Sequence, residues 1–291
     1  MNSNNIKTTE ASSQVVSRNN LQIDCEKCFG FCCVALYFSA SEGFPIDKDA
    51  GKPCINLQSD FRCGVHKSLK ELGLKGCTSY DCFGAGQKVA MGTYRGRDWR
   101  QTPESAKQMY EVFLVMRQIH EMLWYLAEAF ALQPAGRTQG EIKKMQNETE
   151  RLTLLNPEAL LKLDLEAHRL AVNALIQQTS ELVRGKARKG HSSLAKRKKV
   201  FGRGLDLIGA DLRRTDLRGE DLRGAFLIAA DLRGVDLSGA DLIGADLRDA
   251  NICCTNLTNS IFVTQAQINA AKGDSETRLP ISLSRPAHWL S

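Results

Sequence analysis

Residues 236–250 read DLSGADLIGADLRDA: aspartate, leucine, a free position, a small residue, a second small residue, and then the same again. A helix repeats near every 3.6 residues and a strand every 2, so neither accounts for a period of five. Aligned on the central residue, the rhythm runs through Leu207, Leu212, Leu217, Leu222, Leu227, Leu232, Leu237, Leu242, Leu247, Ile252, Leu257 and Phe262. The residue two places before the centre is mostly small, as at Ala225, Ala230 and Ala240, and the residue one place before is Asp or Asn in ten of the twelve repeats. Two inward apolar positions around an outward polar one describe a short extended segment. A glycine two places after the centre, as at Gly234, then lets the chain turn. Each five residues make one side and one corner.

This pattern, A(D/N)LxG, resembles the pentapeptide-repeat family. The resemblance implies that four repeats form one coil of a right-handed quadrilateral β-helix, so that twelve repeats make about three coils. Residues twenty apart then stack: Arg213 over Arg233 and Cys253, Asp211 over Asp231 and Asn251. In that register Ile208, Phe226 and Ile228 point outward, which predicts a cover from the helices or from a second chain. Cys253 and Cys254 fall on a corner and read as incidental. The family includes immunity factors that protect DNA gyrase from antibiotics, partly by mimicking duplex DNA. It therefore implies a protein partner on the solenoid and a role in protection or antibiotic resistance. Mimicry itself fits poorly, because three coils at about 4.8 Å each are short and residues 203–264 set seven arginines beside ten acids.

Ten cysteines stand in the chain, eight of them between residues 25 and 82. The polar opening 24 residues carry no export pattern and no apolar run approaches a membrane span, which places the chain in the cytoplasm with no membrane partner. In a reducing compartment such clustering reads as metal ligation before disulfides. Cys25-x2-Cys28-x3-Cys32-Cys33 is followed by Cys54, by Cys63 and His66, and by Cys77 and Cys82. A CxxC turn delivers two thiolates to one ion, and these nine residues are the candidate metal ligands. Zinc and an iron–sulfur cluster both accept thiolate donors and are the expected cofactors, with buried unligated or oxidised cysteines as the remaining reading. Adjacent Cys32 and Cys33 favour two centres, or one centre and a free thiol. The order CxxCxxxCC, CxxL, CxxH and a closing cysteine pair resembles the CxxCxxxxCC zinc- or iron-chelating family. Some members of that family are linked to protein methylation.

Between these regions, Thr102-Pro103-Glu104 and Asn156-Pro157-Glu158 have the form of helix starts. Met109, Phe113, Met116, Leu123, Ala127 and Phe130 form one apolar stripe. Leu161, Leu165, Val172, Leu175 and Leu182 form another. The stripes predict a helical hairpin, with a polar helix over 139–152, and His120 and His168 on them read as packing residues. The hairpin also offers a homodimer contact.

The net charge of +6 resides in residues 184–203, which hold nine Lys/Arg and no acid and leave the remainder at −3. That run reads as a solvated linker, with nucleic-acid contact as the alternative. The expected fold class is therefore multidomain: a disordered 1–24, a metal-stapled Cys-rich loop domain over 25–101, a helical region over 102–183, a basic linker over 184–203, the β-helix over 204–270 and a tail over 271–291. No GxSxG, HExxH or phosphate-binding loop is present, and GAG at 84–86 is too short to cradle a nucleotide. A non-enzymatic binding or protection protein is the primary reading. The alternative is a redox sensor or protein-modifying enzyme that uses the cysteine domain, with the β-helix as docking platform.

Overall fold

The computed structural model describes residues 18–189 and 205–289. Residues 1–17 and the 190–203 portion of the basic run lie outside the described residues. Within the stretch expected to be disordered, Arg18–Leu21 form a 3-10 turn and Leu21 is buried. Among the described residues eight α-helices follow: α1 (Phe31–Ala35), α2 (Lys75–Thr78), α3 (Ala85–Gln87), α4 (Ala106–Leu132), α5 (Arg137–Leu152), α6 (Pro157–Leu161), α7 (Leu165–Lys189) and α8 (Gln265–Ala270).

The 27-residue α4 is the axis of the helical part. It buries Met109, Phe113, Met116 and Leu123 on one stripe, and α5, α6 and α7 all pack against it, so the expected hairpin has more partners than two helices supply. The second stripe is divided between two helices. Asn156 caps α6 by accepting from the Ala159 amide at 2.9 Å, and Asp164 starts α7 by accepting from Ala167 at 3.0 Å. Each short polar side chain satisfies an amide left free at a helix start. Leu161 is consequently exposed, and the buried face of α7 runs through Val172, Ile176 and Thr179. Thr102 does not cap; its hydroxyl donates to the Asp98 carbonyl at 2.7 Å.

The cysteine-rich region shares the core of these helices. Phe31 stacks on Phe113 with ring centroids 5.4 Å apart, and the Trp99 indole donates to the Phe29 carbonyl at 2.8 Å. His120 and His168 pack as expected. His120 Nδ1 lies 2.8 Å from the Phe83 carbonyl oxygen, and His168 Nε2 lies 2.9 Å from the Thr149 hydroxyl.

The expected right-handed β-helix is corrected. Among the described residues there is no β-strand and no sheet. The repeats are instead joined by isolated parallel bridges, as in Asp211↔Asp231, Asp231↔Asn251 and Asp221↔Asp241, with none at Asp216. The reason lies in the count of residues. The central carbonyl accepts from the amide three residues on, as Leu222 does from Ala225 at 3.1 Å and Leu237 from Ala240 at 2.9 Å. A four-residue turn inside a five-residue repeat leaves a single residue to bridge, which is too few for a strand. Stacking at twenty residues holds for the bridges. The leucines from Leu212 to Leu257, with Ala225, Ala230, Ala240 and Ala250, fill an interior of their own.

The Asp/Asn position has a local task. Asp211 Oδ1 accepts from the Arg213 amide at 3.2 Å, Asp241 from Ile243 at 3.0 Å and Asn256 from Thr258 at 3.2 Å. A short acceptor bonding two residues ahead steadies the turn, and only Asp and Asn reach without spanning too far.

The twelfth repeat departs from the register. Phe262 adopts a φ of 60° and leaves the coil interior, turning its ring edge-on to Tyr125 at 5.9 Å in the helical core. Val263 takes the inward place. α8 follows behind a capping box of Thr264 and Gln267. The chain then rejoins the stack through Asn251↔Lys272 and Asn256↔Arg278. Trp289 closes this end, buried against Gly273, where any Cβ would meet the indole ring at 2.7 Å.

Candidate functional site

Of the eight cysteines between residues 25 and 82, Cys28, Cys54, Cys63 and Cys82 have backbone amides facing their sulfurs. Cys25 and Cys28 share a 3-10 turn in which the Cys28 amide donates to the Cys25 carbonyl at 3.4 Å. Cys28-Phe29-Gly30 leads into α1, and Cys82-Phe83-Gly84 repeats the same tripeptide ahead of α3. Both glycines are left-handed, with φ of 64° and 78°. The left-handed residue turns the following amides back toward the cysteine. Gly30 and Phe31 amides face Cys28, and Gly84 and Gly86 amides face Cys82. The two loops meet, since a Cβ on Gly86 would stand 2.5 Å from Cys28 Sγ. Sequence reasoning passed over this repeated CFG, although the two tripeptides are visible in the chain.

A second group forms around α1. Cys32 and Cys33 sulfurs are 3.9 Å apart, and Cys33, buried, also reaches Cys63. Contact with both neighbours favours the protonated form of Cys33 and raises its pKa, while those of Cys32 and Cys63 are lowered, Cys63 with help from the Val65 amide. Cys54 is tied to Cys33 by its amide, which donates to the Cys33 carbonyl at 2.9 Å. Cys77, on α2, lies within electrostatic range of Cys32, Cys63 and Cys54. Cys25 stands in the same range of Cys32 and Cys63. Burial pushes Cys28, Cys77 and Cys82 up to about 12, against the amides that face Cys28 and Cys82.

His66 is exposed on a turn whose amide donates to the Cys63 carbonyl at 3.3 Å. Lys48 is the basic residue that sequence reading missed. Its ammonium lies 4.7 Å over the Phe38 ring, donates to the Lys52 carbonyl at 2.7 Å, and faces Cys33 and Cys54.

These residues were weighed against a bound metal. A tetrahedral ion with metal–sulfur bonds of about 2.3 Å holds its sulfurs about 3.8 Å apart, and Cys32 and Cys33 match that edge. Amides aimed at sulfur stabilise thiolate rather than thiol. Among the described residues, however, no three His, Cys, Asp or Glu side chains are gathered closely enough to hold an ion. The chemistry of the donor set fits, and the sulfurs are brought together in pairs. Cys253 and Cys254 stand apart on a coil corner, where the Cys254 thiol donates to Asp274 at 3.4 Å.

The coil is joined to this region along one edge. Arg184 of α7 donates to the Gly219 carbonyl at 3.2 Å and pairs with Asp221 at 3.4 Å, and Arg188 faces Glu220 at 3.7 Å. The first residues of the basic run therefore belong to a helix that docks on the coil. Lys75 of α2 pairs with Asp249 at 2.6 Å, and Arg248 with Glu42 at 3.6 Å. Among the described residues the helices do not cover Ile208 and Phe226, which are exposed.

Comparison with known proteins follows this division. The family described as Pentapeptide repeats (8 copies) matches residues 203–239 and 230–263. Uncharacterized protein YybG of Bacillus subtilis (strain 168) is 54% identical over 282 residues, covering 96% of this chain and 99% of that protein. The chain belongs to the YybG family. The aligned length takes in the cysteine-rich region, the helices and the coil of this chain together. No solved structure matches the chain. No helix among the described residues is long and apolar enough to cross a membrane.

Proposed function

We propose that this YybG-family protein is a metal-binding interaction factor, in which thiolates of the cysteine region hold zinc or an iron–sulfur cluster and the repeat coil meets a partner protein. The reading agrees with the resemblance of the cysteine region to a chelating family. The observation that carries it is the pair of CFG loops, which aim backbone amides at Cys28 and Cys82 and set the two thiols within electrostatic range of each other. Cys25, Cys32, Cys63 and Cys77 supply further thiolates in mutual range, and Cys33 positions Cys32 and Cys63. A bound cation would supply the positive charge that lets these thiols ionise together.

The interaction role draws on the coil side that carries Asp211, Asp231 and Asn251, where Asp211 and Asp231 pair with the coil's own Arg213 and Arg233. Protection of a cellular target against an antibiotic is the form of interaction the pentapeptide repeats favour. The test is anaerobic purification followed by an absorption spectrum and metal analysis of the wild type, Cys28→Ser, Cys63→Ser and, as a control, Cys254→Ser. Stoichiometric zinc or iron, lost in the first two variants and kept in the third, supports the reading. A wild-type protein that holds neither metal sinks it.

A further inference from the structure

Where the cysteine region, α4 and the coil meet there is a cavity of about 310 Å³, at the lower end of the range for small-ligand pockets. Its charged lining comes from three separate parts of the chain: Glu42 and Asp81, Arg117 and Glu121, and Asp246 and Arg248. Four carboxylates thus face two guanidiniums, and both guanidiniums are already engaged. Arg248 pairs with Asp246 at 2.7 Å and Glu42 at 3.6 Å. Arg117 donates through Nε to the Asp81 carbonyl oxygen at 3.1 Å, lies 5.4 Å over the Tyr80 ring and stands 3.7 Å from Glu121. The Asp81 carboxylate accepts from the Phe83 amide at 2.7 Å and has no cation within ion-pair distance among the described residues.

A second observation is independent of the acids. Tyr125 lines the same cavity and is 7% exposed, its ring lodged against Phe83 and Phe262. Its hydroxyl makes no hydrogen bond among the described residues. The oxygen is not among the fully buried atoms, so it opens on the cavity and can accept a donor there.

We propose that this cavity binds a small organic cation bearing an ammonium group, whose N–H donors go to the carboxylates of Asp81 and Glu121 and to the Tyr125 hydroxyl oxygen. An ammonium group brings three donors and one positive charge, which matches the surplus of acceptors and of negative charge. An anion would meet the excess carboxylates, and a neutral molecule would leave them uncompensated. Because the walls belong to both the cysteine region and the coil, an occupant ties the two together. The inference does not depend on the metal reading.

The test uses the full chain, titrated calorimetrically with 1,4-diaminobutane, with 1,4-butanediol and succinate as neutral and anionic counterparts at matched ionic strength. Saturable one-to-one binding of the diamine alone is expected, weakened about tenfold by Tyr125→Phe and more by Glu121→Gln. Absence of diamine binding, equal binding of the diol or of succinate, or undiminished affinity in the variants overturns the proposal. Tyr125→Phe keeps the buried ring, so it preserves the test if Glu121→Gln fails to fold.

Discussion

Gly234 and Gly239 occupy equivalent corners of the coil with φ of 70° and 69°, yet they differ in what stands beside them. Nothing lies within 4 Å of a Cβ built on Gly234, whereas a Cβ on Gly239 runs into the methyl group of Ala187 on α7. Alanine at either position carries the left-handed backbone cost of about 1 kcal/mol. Ala229 and Cys254 already bear it at their own corners, with φ of 55° and 57°. Only at Gly239 does overpacking add a further 1–3 kcal/mol or so. Gly234→Ala is therefore expected to lower stability by about 1 kcal/mol and Gly239→Ala by about 2–4 kcal/mol. Urea denaturation of each variant measures the difference. Ala187→Gly combined with Gly239→Ala should restore stability relative to the sum of the single effects, because removing the methyl group clears the space. Equal losses at the two glycines, or strict additivity in the double variant, would refute the account of α7 docking.

His120 gives a pH prediction. Burial, reinforced by the charge of Lys88 and opposed by the Phe83 carbonyl, lowers its pKa to about 4. The unfolded chain binds the proton near 6.5 while the folded chain does not, so stability falls as pH drops from about 6.5 to about 4, by roughly 3 kcal/mol, and His120→Gln should remove that slope. Asn156→Ala takes away the acceptor for the Ala159 amide, and a loss of about 1 kcal/mol in a denaturation midpoint series is expected. Arg233→Ala breaks an ion pair with Asp231 on an exposed side of the coil; no resolvable shift of the urea midpoint is expected, and a clear loss would show that the pair is structurally required.

The period of five made much of the coil legible, because two inward positions per repeat are fixed by apolar size alone, as Leu232 and Ala230 illustrate. The absence of strands was not legible in that way. It depends on how many residues of each repeat the turn consumes, which becomes visible only through hydrogen bonds such as Ala225 to Leu222. Phe262 fits the repeat by type and leaves it by contact, since Tyr125 offers it a partner 137 positions earlier in the chain. In the helices, one apolar stripe hid the boundary at Asp164, because a capping aspartate and a solvent-facing one look alike without neighbours. At the cysteines, spacing identified the donors but not their grouping. Lys48, and the meeting of the two CFG loops through Gly86, arise from contacts between distant turns.

The pairing of Asp211 with Arg213, Asp231 with Arg233 and Asp216 with Arg218 at 2.7–2.9 Å has a consequence for how fast anything finds these sides of the coil. Opposite charges held two residues apart form small dipoles, whose potentials cancel within a few ångströms of the surface instead of reaching out over a Debye length of about 8–10 Å. A macromolecule approaching these sides meets no long-range field to draw it in or turn it round. Association there should proceed at the unassisted docking rate of roughly 10⁵–10⁶ M⁻¹s⁻¹, nearly indifferent to salt, with selectivity expressed in how slowly the complex comes apart.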